Sequence, residues 1–336
     1  MTTIYDIARA AGVTATTVSN VLSGKGSVSS ATRARVMQYV EELHYSPNLV
    51  ARSLIKGRTG VLGLVFPSID NPFFAEMTAA MECLAYQAGF RVFVSTFSSG
   101  DQTGQKMLRD LALRRVDGVI IFSAAITLDI IQAMELPNLP IIYCLEEEMQ
   151  PCPFPAISYD FFEGGRLAGE HLLSLGHRRI GVITDMTDEG QLCHRSRIKG
   201  LQTALASYDL TLDTDLMKNG HSNAETGKAV GYELLTHPNR PTAVFATNDM
   251  MAMGLMTAAW ELNIQIPRDL SIIGFDGIAI SRFTTPPLTT IKIDIEALAA
   301  EAINLLLHEI KHPNSQNSVV LPATLVQGAS TGPLLL

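Results

Sequence analysis

From Val61 onward, short strand-like runs alternate with amphipathic stretches of helical length, and this alternation restricts the fold more than any other feature. The strand-like runs are VLGLVF (61–66), RVFVSTF (91–97), GVIIF (118–122), IIYC (141–144), IGVIT (180–184), TAVFAT (242–247) and SIIGFD (271–276). Between them, apolar residues recur at helical spacing near 73–88, 103–115, 194–207 and 250–262. Strand and helix in regular succession predict parallel sheets with helices on both faces. Two such sets predict two similar α/β lobes with a cleft between them, and in sheets of this kind ligands sit at the carboxyl ends of the strands.

The first sixty residues have a different texture. Tyr5 to Ala11 reads as a helix stopped by Gly12, and Ala15 to Leu22 as a second helix capped by Thr14. Ser30 to Leu43 reads as a third, with Val36, Val40 and Leu43 on one face. Ile7, Ala8, Val18, Val21 and Leu22 supply a small core. The stretch YDIARAAGVTATTVSNVLSG (5–24) has helix-turn-helix grammar. A second helix set at a steep angle fits a major groove about 12 Å wide. Its first-turn residues Ala15, Thr16 and Thr17 would meet base edges or phosphates, with Asn20 one turn further on. Charge agrees: residues 1–60 hold seven basic side chains against three acidic ones, although the whole chain is at −8. A basic head on an acidic body points to a polyanion held by the head.

Composition excludes other classes. With 47% hydrophobic and 17% charged residues, the chain buries sizeable cores and is not disordered. No apolar run reaches the length of a membrane helix. The start, MTTIYDIARAAG, lacks the basic and apolar regions of a signal peptide, so a cytoplasmic protein is expected. Cys83, Cys144, Cys152 and Cys193 are scattered without a CxxC pair, which favours reduced thiols over disulfides or a metal cage. Gly24-Lys25-Gly26-Ser27 lacks the spacing of a phosphate-binding loop, no GxGxxG follows a strand, and no GxSxG elbow is present. No cofactor is expected.

Residues 1–60 resemble the headpiece of the LacI/GalR repressors. The likeness rests on Ile4-Tyr5-Asp6-Ile7-Ala8, Ala11-Gly12-Val13-Thr14, Thr17-Val18-Ser19, Leu22, Val28-Ser29, Thr32-Arg33-Arg35-Val36 and the run from Tyr45 to Leu54. The resemblance implies that Ala15, Thr16 and Asn20 read bases, and that Thr3, Tyr5, Thr14, Thr17, Ser19 and Ser29 join them at the DNA. Ser46-Pro47 is a helix-start signal, and Asn48 to Leu54 is too short for a stable free helix. The family uses this segment as a hinge helix in the minor groove. Leu54 matches its wedging leucine, and Asn48, Ala51 and Arg52 lie on the same helix. Opening one base step costs a few kcal/mol, offset by wider contact.

The resemblance continues from Gly60 to Thr331, toward the same family and the periplasmic sugar-binding proteins. It is carried by Asn71-Pro72-Phe73-Phe74-Ala75-Glu76, Asp117-Gly118-Val119-Ile120, Gly176-His177-Arg178-Arg179-Ile180-Gly181, Arg197-Ile198-Lys199-Gly200, Asn248 to Gly254, Gly274-Phe275-Asp276 and Pro286 to Ile291. The expected fold is an all-α helix-turn-helix headpiece (1–46), a hinge helix and linker (47–59), and a two-lobed α/β effector-binding and dimerisation domain (60–336). Lobe one spans about 60–160 and 291–321, lobe two about 161–290 and 322–331. The expected function is an operator-binding repressor of carbohydrate-utilisation genes, not an enzyme, working as a homodimer on palindromic DNA and controlled by a sugar-like metabolite.

The cleft chemistry suits a polyol. Arg197 is a five-donor fork, Asp276 a carboxylate acceptor, and Asn248 offers both donor and acceptor. Phe73, with Phe161 across the cleft, would stack on a sugar's apolar face, and Phe74, Asp70 and Asp160 lie nearby. The blander roles are helix capping for Asp276 and Asn248, a surface ion pair for Arg197 and lobe core for Phe73. Met250, Met251, Met253 and Met256 read as core and dimer packing, and Trp260 as buried structure. Where the family usually has an arginine after Leu325-Val326-Gln327, this chain has Gly328. An enzyme alternative rests on His308-Glu309-Ile310-Lys311-His312, which fits the HExxH pattern of zinc peptidases. Ile295, Ala299, Ile303, Leu306 and Ile310 share the opposite face of that helix, so the histidines are expected at solvent with no metal.

Overall fold

The structure, a computed structural model, describes residues 2–24, 26–46, 57–96, 101–122, 126, 128–134, 139–144, 154–313 and 317–334, with backbone alone for 101–103, 128–129 and 188–193. Two compact units result, Met1–Thr59 and Gly60–Leu336. In the first unit, each helix starts on a hydroxyl cap. Thr3 and Asp6 form a reciprocal capping box before α1 (Ile4–Ala11). Thr14 accepts from the Thr17 amide before α2 (Ala15–Ser23), and Ser29 from the Thr32 amide before α3 (Ser30–Glu42). Gly12, at φ 62°, ends α1 in the left-handed conformation and turns the chain into α2. Ile7, Ala8, Ala11, Val18, Val21 and Val36 close the core. Arg33 donates to the Val21 carbonyl at 3.0 Å, tying α3 to the end of α2. Leu43 was expected on the inner face, but it falls at the C-cap of α3 and is exposed.

The second unit contains two sheets. The first comprises β1 (Val61–Phe66), β2 (Arg91–Thr96), β3 (Gly118–Ile121), β4 (Ile141–Cys144), β5 (Ala156–Tyr159) and β11 (Ser318–Leu321), in the order β11-β5-β4-β3-β1-β2. The second comprises β6 (Ile180–Thr184), β7 (Met217–Asn219), β8 (Ala243–Ala246), β9 (Ser271–Asp276), β10 (Thr289–Lys292) and β12 (Thr324–Val326), in the order β12-β10-β9-β8-β6-β7. Every pair is parallel except β10 with β12. The inner strands β1, β6, β8 and β9 are buried, mostly apolar runs because helices cover both faces, whereas the edge strand β2 is largely exposed. The helices are α4 (Pro72–Gln87), α5 (Asp101–Leu113), α6 (Leu128–Ala133), α7 (Phe161–Ser174), α8 (Asp188–Ala206), α9 (Ala224–Thr236), α10 (Asp249–Glu261) and α11 (Ile295–Lys311). The chain passes between the sheets after Tyr159, after Lys292 and after Leu321.

Gly328 has its reason in packing. A Cβ there would lie 2.4 Å from the Pro287 carbonyl oxygen, and its amide donates to Thr289 Oγ1 at 3.1 Å. Trp260 departs from expectation: it is 76% exposed. With Ile280, Phe283, Met253 and Met256 it lines a depression of about 400 Å³; of the four methionines, Met251 and Met256 are buried and Met250 and Met253 half-buried. On α11, His308 and His312 are exposed with rings 5.0 Å apart, whereas Glu309 is buried. Glutamate and histidines therefore do not face one metal position.

The C-terminal strap is sewn to the second sheet by His177, whose ring meets Thr242 Oγ1 at 3.0 Å, Ser271 Oγ at 2.9 Å and the Gly332 carbonyl at 3.1 Å. Burial holds its pKa below the usual 6.5. As pH falls through 6.5, the unfolded chain takes up a proton that the folded ring refuses, so stability present above that pH is lost. His177→Gln is expected to flatten the acid slope of stability by up to about 1.4 kcal/mol per pH unit below 6.5. Urea unfolding at a series of pH values reads this; an unchanged slope removes His177 as a source of acid lability.

Candidate functional site

In the first unit, α2 presents Thr16 and Ser19 to solvent one turn apart, while Ala15, Thr17 and Asn20 are half-buried. Ala15 packs partly against the core, and the Asn20 amide leans over Gly26. Thr3, Thr14 and Ser29 are exposed, and each is an N-cap, so their hydroxyls sit beside the positive ends of α1, α2 and α3. Hydroxyls and free amides at helix starts are ready donors to phosphate oxygens. Tyr5 is 70% exposed. Asn48, Ala51, Arg52 and Leu54 lie outside the described residues.

In the second unit, the candidate effector residues Arg197, Asn248 and Asp276 converge at the carboxyl ends of β8 and β9. Arg197, on α8, is buried; its guanidinium stands 4.7 Å from the Phe161 ring centroid and 4.2 Å from that of Phe275. It donates from Nη1 to the Thr247 carbonyl and lies 3.5 Å from Asp276 Oδ1. Arg197 is thus a buried cation between two aromatic faces and a carboxylate, not a surface ion pair. Burial pushes the Asp276 carboxyl up to about 7, against the pull of Arg197.

Asp276 and Gly277 both have left-handed backbone, with φ of 106° and 69°. For the aspartate this is a strained conformation, held from below by Asp249. Asp249 Oδ2 accepts from the Ile278 amide at 2.9 Å, and Oδ1 accepts from the Thr290 hydroxyl at 2.6 Å. Burial, then the charge of Asp276, raises the Asp249 carboxyl well above its ordinary range. Gly274 makes the room: a Cβ there would stand 2.2 Å from Asp249 Oδ1.

The other expected ligands divide. Asn248 caps α10, accepting from the Met251 amide at 2.8 Å and donating to the Ser222 carbonyl at 3.2 Å. Asp160 is exposed and caps α7, accepting from the Glu163 amide at 2.8 Å. Asp70 is exposed and accepts from Ser68 Oγ at 3.0 Å. Phe73 is buried edge-on to the half-buried Phe74, at 5.3 Å. Phe161 is buried too, stacked on Phe275, so it offers its face to Arg197 and not to an open cleft. Asp249 was missed because its role depends on the strand neighbour that covers it. His194 was also missed. It is buried, with Nε2 3.4 Å from Ser222 Oγ and no hydrogen-bond partner at Nδ1 among the described residues. Burial and then the charge of Arg197 lower its pKa to about 3.

Comparison with known proteins is consistent across both units. Residues 3–48 match the family of bacterial regulatory proteins of the lacI type, and residues 170–331 match the periplasmic binding protein-like domain. The HTH-type transcriptional regulator DegA of Bacillus subtilis is 35% identical over 338 residues, covering 99% of each chain. The lac repressor dimer bound to operator and the anti-inducer ONPF is 30% identical with a TM-score of 0.89, covering 98% of this chain and 99% of that one. A LacI family transcriptional regulator from Enterococcus faecium with bound ribose is 32% identical with a TM-score of 0.73, covering 82% of this chain and 100% of that one.

Proposed function

This chain belongs to the lacI family of bacterial regulatory proteins, and on that premise we propose that it is a homodimeric repressor of carbohydrate-utilisation genes, released from or recruited to a palindromic operator by a sugar or sugar derivative. The observation that carries the effector reading is the buried Arg197 guanidinium held beside Asp276. A fork of donors next to a strained carboxylate suits vicinal hydroxyls, and the ribose-bound relative points to the same chemistry. The DNA reading rests on the exposed Thr16 and Ser19 beside three hydroxyl-capped helix starts. The exposed apolar face of Trp260, Ile280 and Phe283 suits a second copy, because a two-fold pair of headpieces needs a two-fold body. The metabolite acts only by preferring one arrangement of the lobes.

The full chain is expected to select a palindromic duplex from a randomised pool, with affinity falling roughly 10³–10⁵-fold between about 50 and 200 mM salt if some 6–10 phosphates are contacted. No salt-sensitive preference for any palindrome, with or without metabolite, would overturn the repressor reading. Leu54→Ala should weaken specific binding more than non-specific binding; equal losses would remove the minor-groove wedge. A melting-point screen against sugars, nucleosides and phosphorylated sugars tests the effector class. A shift from nucleosides alone would displace the sugar assignment.

A further inference from the structure

Glu76 is the one ionisable residue of the Asn71-Pro72-Phe73-Phe74-Ala75-Glu76 motif, and neither the cap, the core nor the candidate ligand set accounts for it. It is half-buried on α4, which packs on β1, β2 and α11 in the lobe of the first sheet. Its Oε1 accepts a hydrogen bond from the Ala279 amide at 2.9 Å, across 203 residues of sequence and from one lobe to the other. Ala279 opens the 3-10 turn Ala279–Phe283, and its amide is one of those that the turn itself leaves without an acceptor. Three residues earlier on the same corner stands Asp276, and between them the Ile278 amide is pinned by Asp249.

We propose that Glu76 is a positioning residue that clasps lobe one onto the 276–279 corner, so that occupancy at Asp276 and the relative placement of the lobes are read through one short, doubly anchored strap. The proposal rests on the effector reading of Arg197 and Asp276. The corner is stiff. Asp249 fixes the Ile278 amide, Glu76 the Ala279 amide, and Gly277 is packed so closely on Lys292 that a Cβ at the glycine would lie 2.8 Å from the Lys292 Cα. A displacement of the Asp276 carboxylate by a ligand is therefore passed to Ala279 and onward to Glu76. The same turn carries Ile280 and Phe283 on the exposed apolar face. Lobe closure and the body's apolar face are thus joined at one element.

The clasp is tested from both ends on the full-length, ligand-free protein by hydrogen exchange of the 280–283 amides. Glu76→Ala removes the acceptor. Ala279→Pro removes the donor and its ring pushes the Glu76 carboxylate out of its place: the residue is first in its helix, and Ile278 before it sits at φ −59°, ψ 150°, which proline tolerates in a predecessor. Each variant is expected to raise exchange of this segment roughly tenfold, the order of a hydrogen bond to a carboxylate. Glu76→Gln, which keeps an acceptor oxygen, should stay near wild type, and the Glu76→Ala, Ala279→Pro double variant should exchange no faster than either single. Small-angle scattering should show the same grouping, with the clasp-less variants more open. Unchanged exchange in Glu76→Ala, or a double variant faster than both singles, overturns the clasp. No metabolite enters this measurement, so its failure leaves the effector reading standing. A metabolite screen that shifts no melting point would do the reverse.

Discussion

Gly165→Ala is expected to lower the melting temperature of the larger unit by roughly 6–12 °C, taking about 3 kcal/mol for overpacking and about 2–4 °C per kcal/mol at this size. A Cβ at Gly165 would lie 1.9 Å from the Arg197 carbonyl oxygen and 2.9 Å from its Cα. Across the same contact, a Cβ at Gly200 would fall 2.0 Å from the Phe162 carbonyl. The backbones of α7 and α8 therefore touch, and no side chain can rotate away to relieve the added methyl. The helices must separate, and the one that moves carries Arg197. The variant should thus lose metabolite response at temperatures where it is still folded. Calorimetry of wild type and variant reads the first effect; a melting point within 2 °C of wild type, taking about 1 kcal/mol as the floor, would mean that α7 and α8 have slack.

Arg197→Met is expected to abolish metabolite response and to destabilise the unit by about 3–5 kcal/mol at pH 8, the usual cost of stripping a buried charge of its partner. Its pH dependence is the more specific signature. Asp276 has a folded pKa of about 7 against an ordinary 3.8, and Arg197 is what pulls it down. Between those two values the unfolded chain has released a proton that the folded chain keeps, so stability falls as pH rises. Above the folded pKa the loss is complete and the contribution levels off. Without the guanidinium the folded pKa rises further, so the decline should continue past pH 7 at up to about 1.4 kcal/mol per unit. Adding Asp276→Asn should abolish that extra slope. Urea titrations at pH 6, 7 and 8 decide it: parallel curves for wild type and Arg197→Met would disconnect the two groups.

How far the sequence foretold this site depended on the kind of information needed. The capped helices of the headpiece were readable because Thr14 and Gly12 act on residues next to them in the chain. The parallel strands β1, β3, β4, β6, β8 and β9 were readable because burial on both faces leaves uninterrupted apolar runs, whereas the short β5, β7, β10 and β11 were not assigned. Helices α7 and α9 were not assigned. Gly164, Gly165 and Gly169 in the first, and Gly227 and Gly231 in the second, lower helix propensity while allowing close packing. Arg197 and Asp276 were selected for their chemistry, and the structure brings them together. Phe73 and Phe161 were selected on the same basis, and both are buried. An aromatic ring suits a sugar or a core equally, and only the opposing surface decides between them. Trp260 was misjudged for a related reason: a large apolar side chain suits a core or an exposed face equally, and nothing beside it in the chain tells which.

The passages of the chain between the two sheets impose an order on synthesis. α11, which lies against α4, and β11, which completes the edge beside β5, belong to the first sheet, yet they follow the whole run from β6 to β10. On the ribosome, the first sheet and α4 emerge early, but the core that Met77, Met81 and Ala85 share with Leu298, Ala299 and Ala302 stays incomplete until α11 arrives. The later-made lobe can pair all its parallel strands before its elder neighbour is roofed. A released chain that ends before residue 295 would therefore display a nearly finished second lobe and an open, adhesive first one, the state in which a chaperone has most to cover.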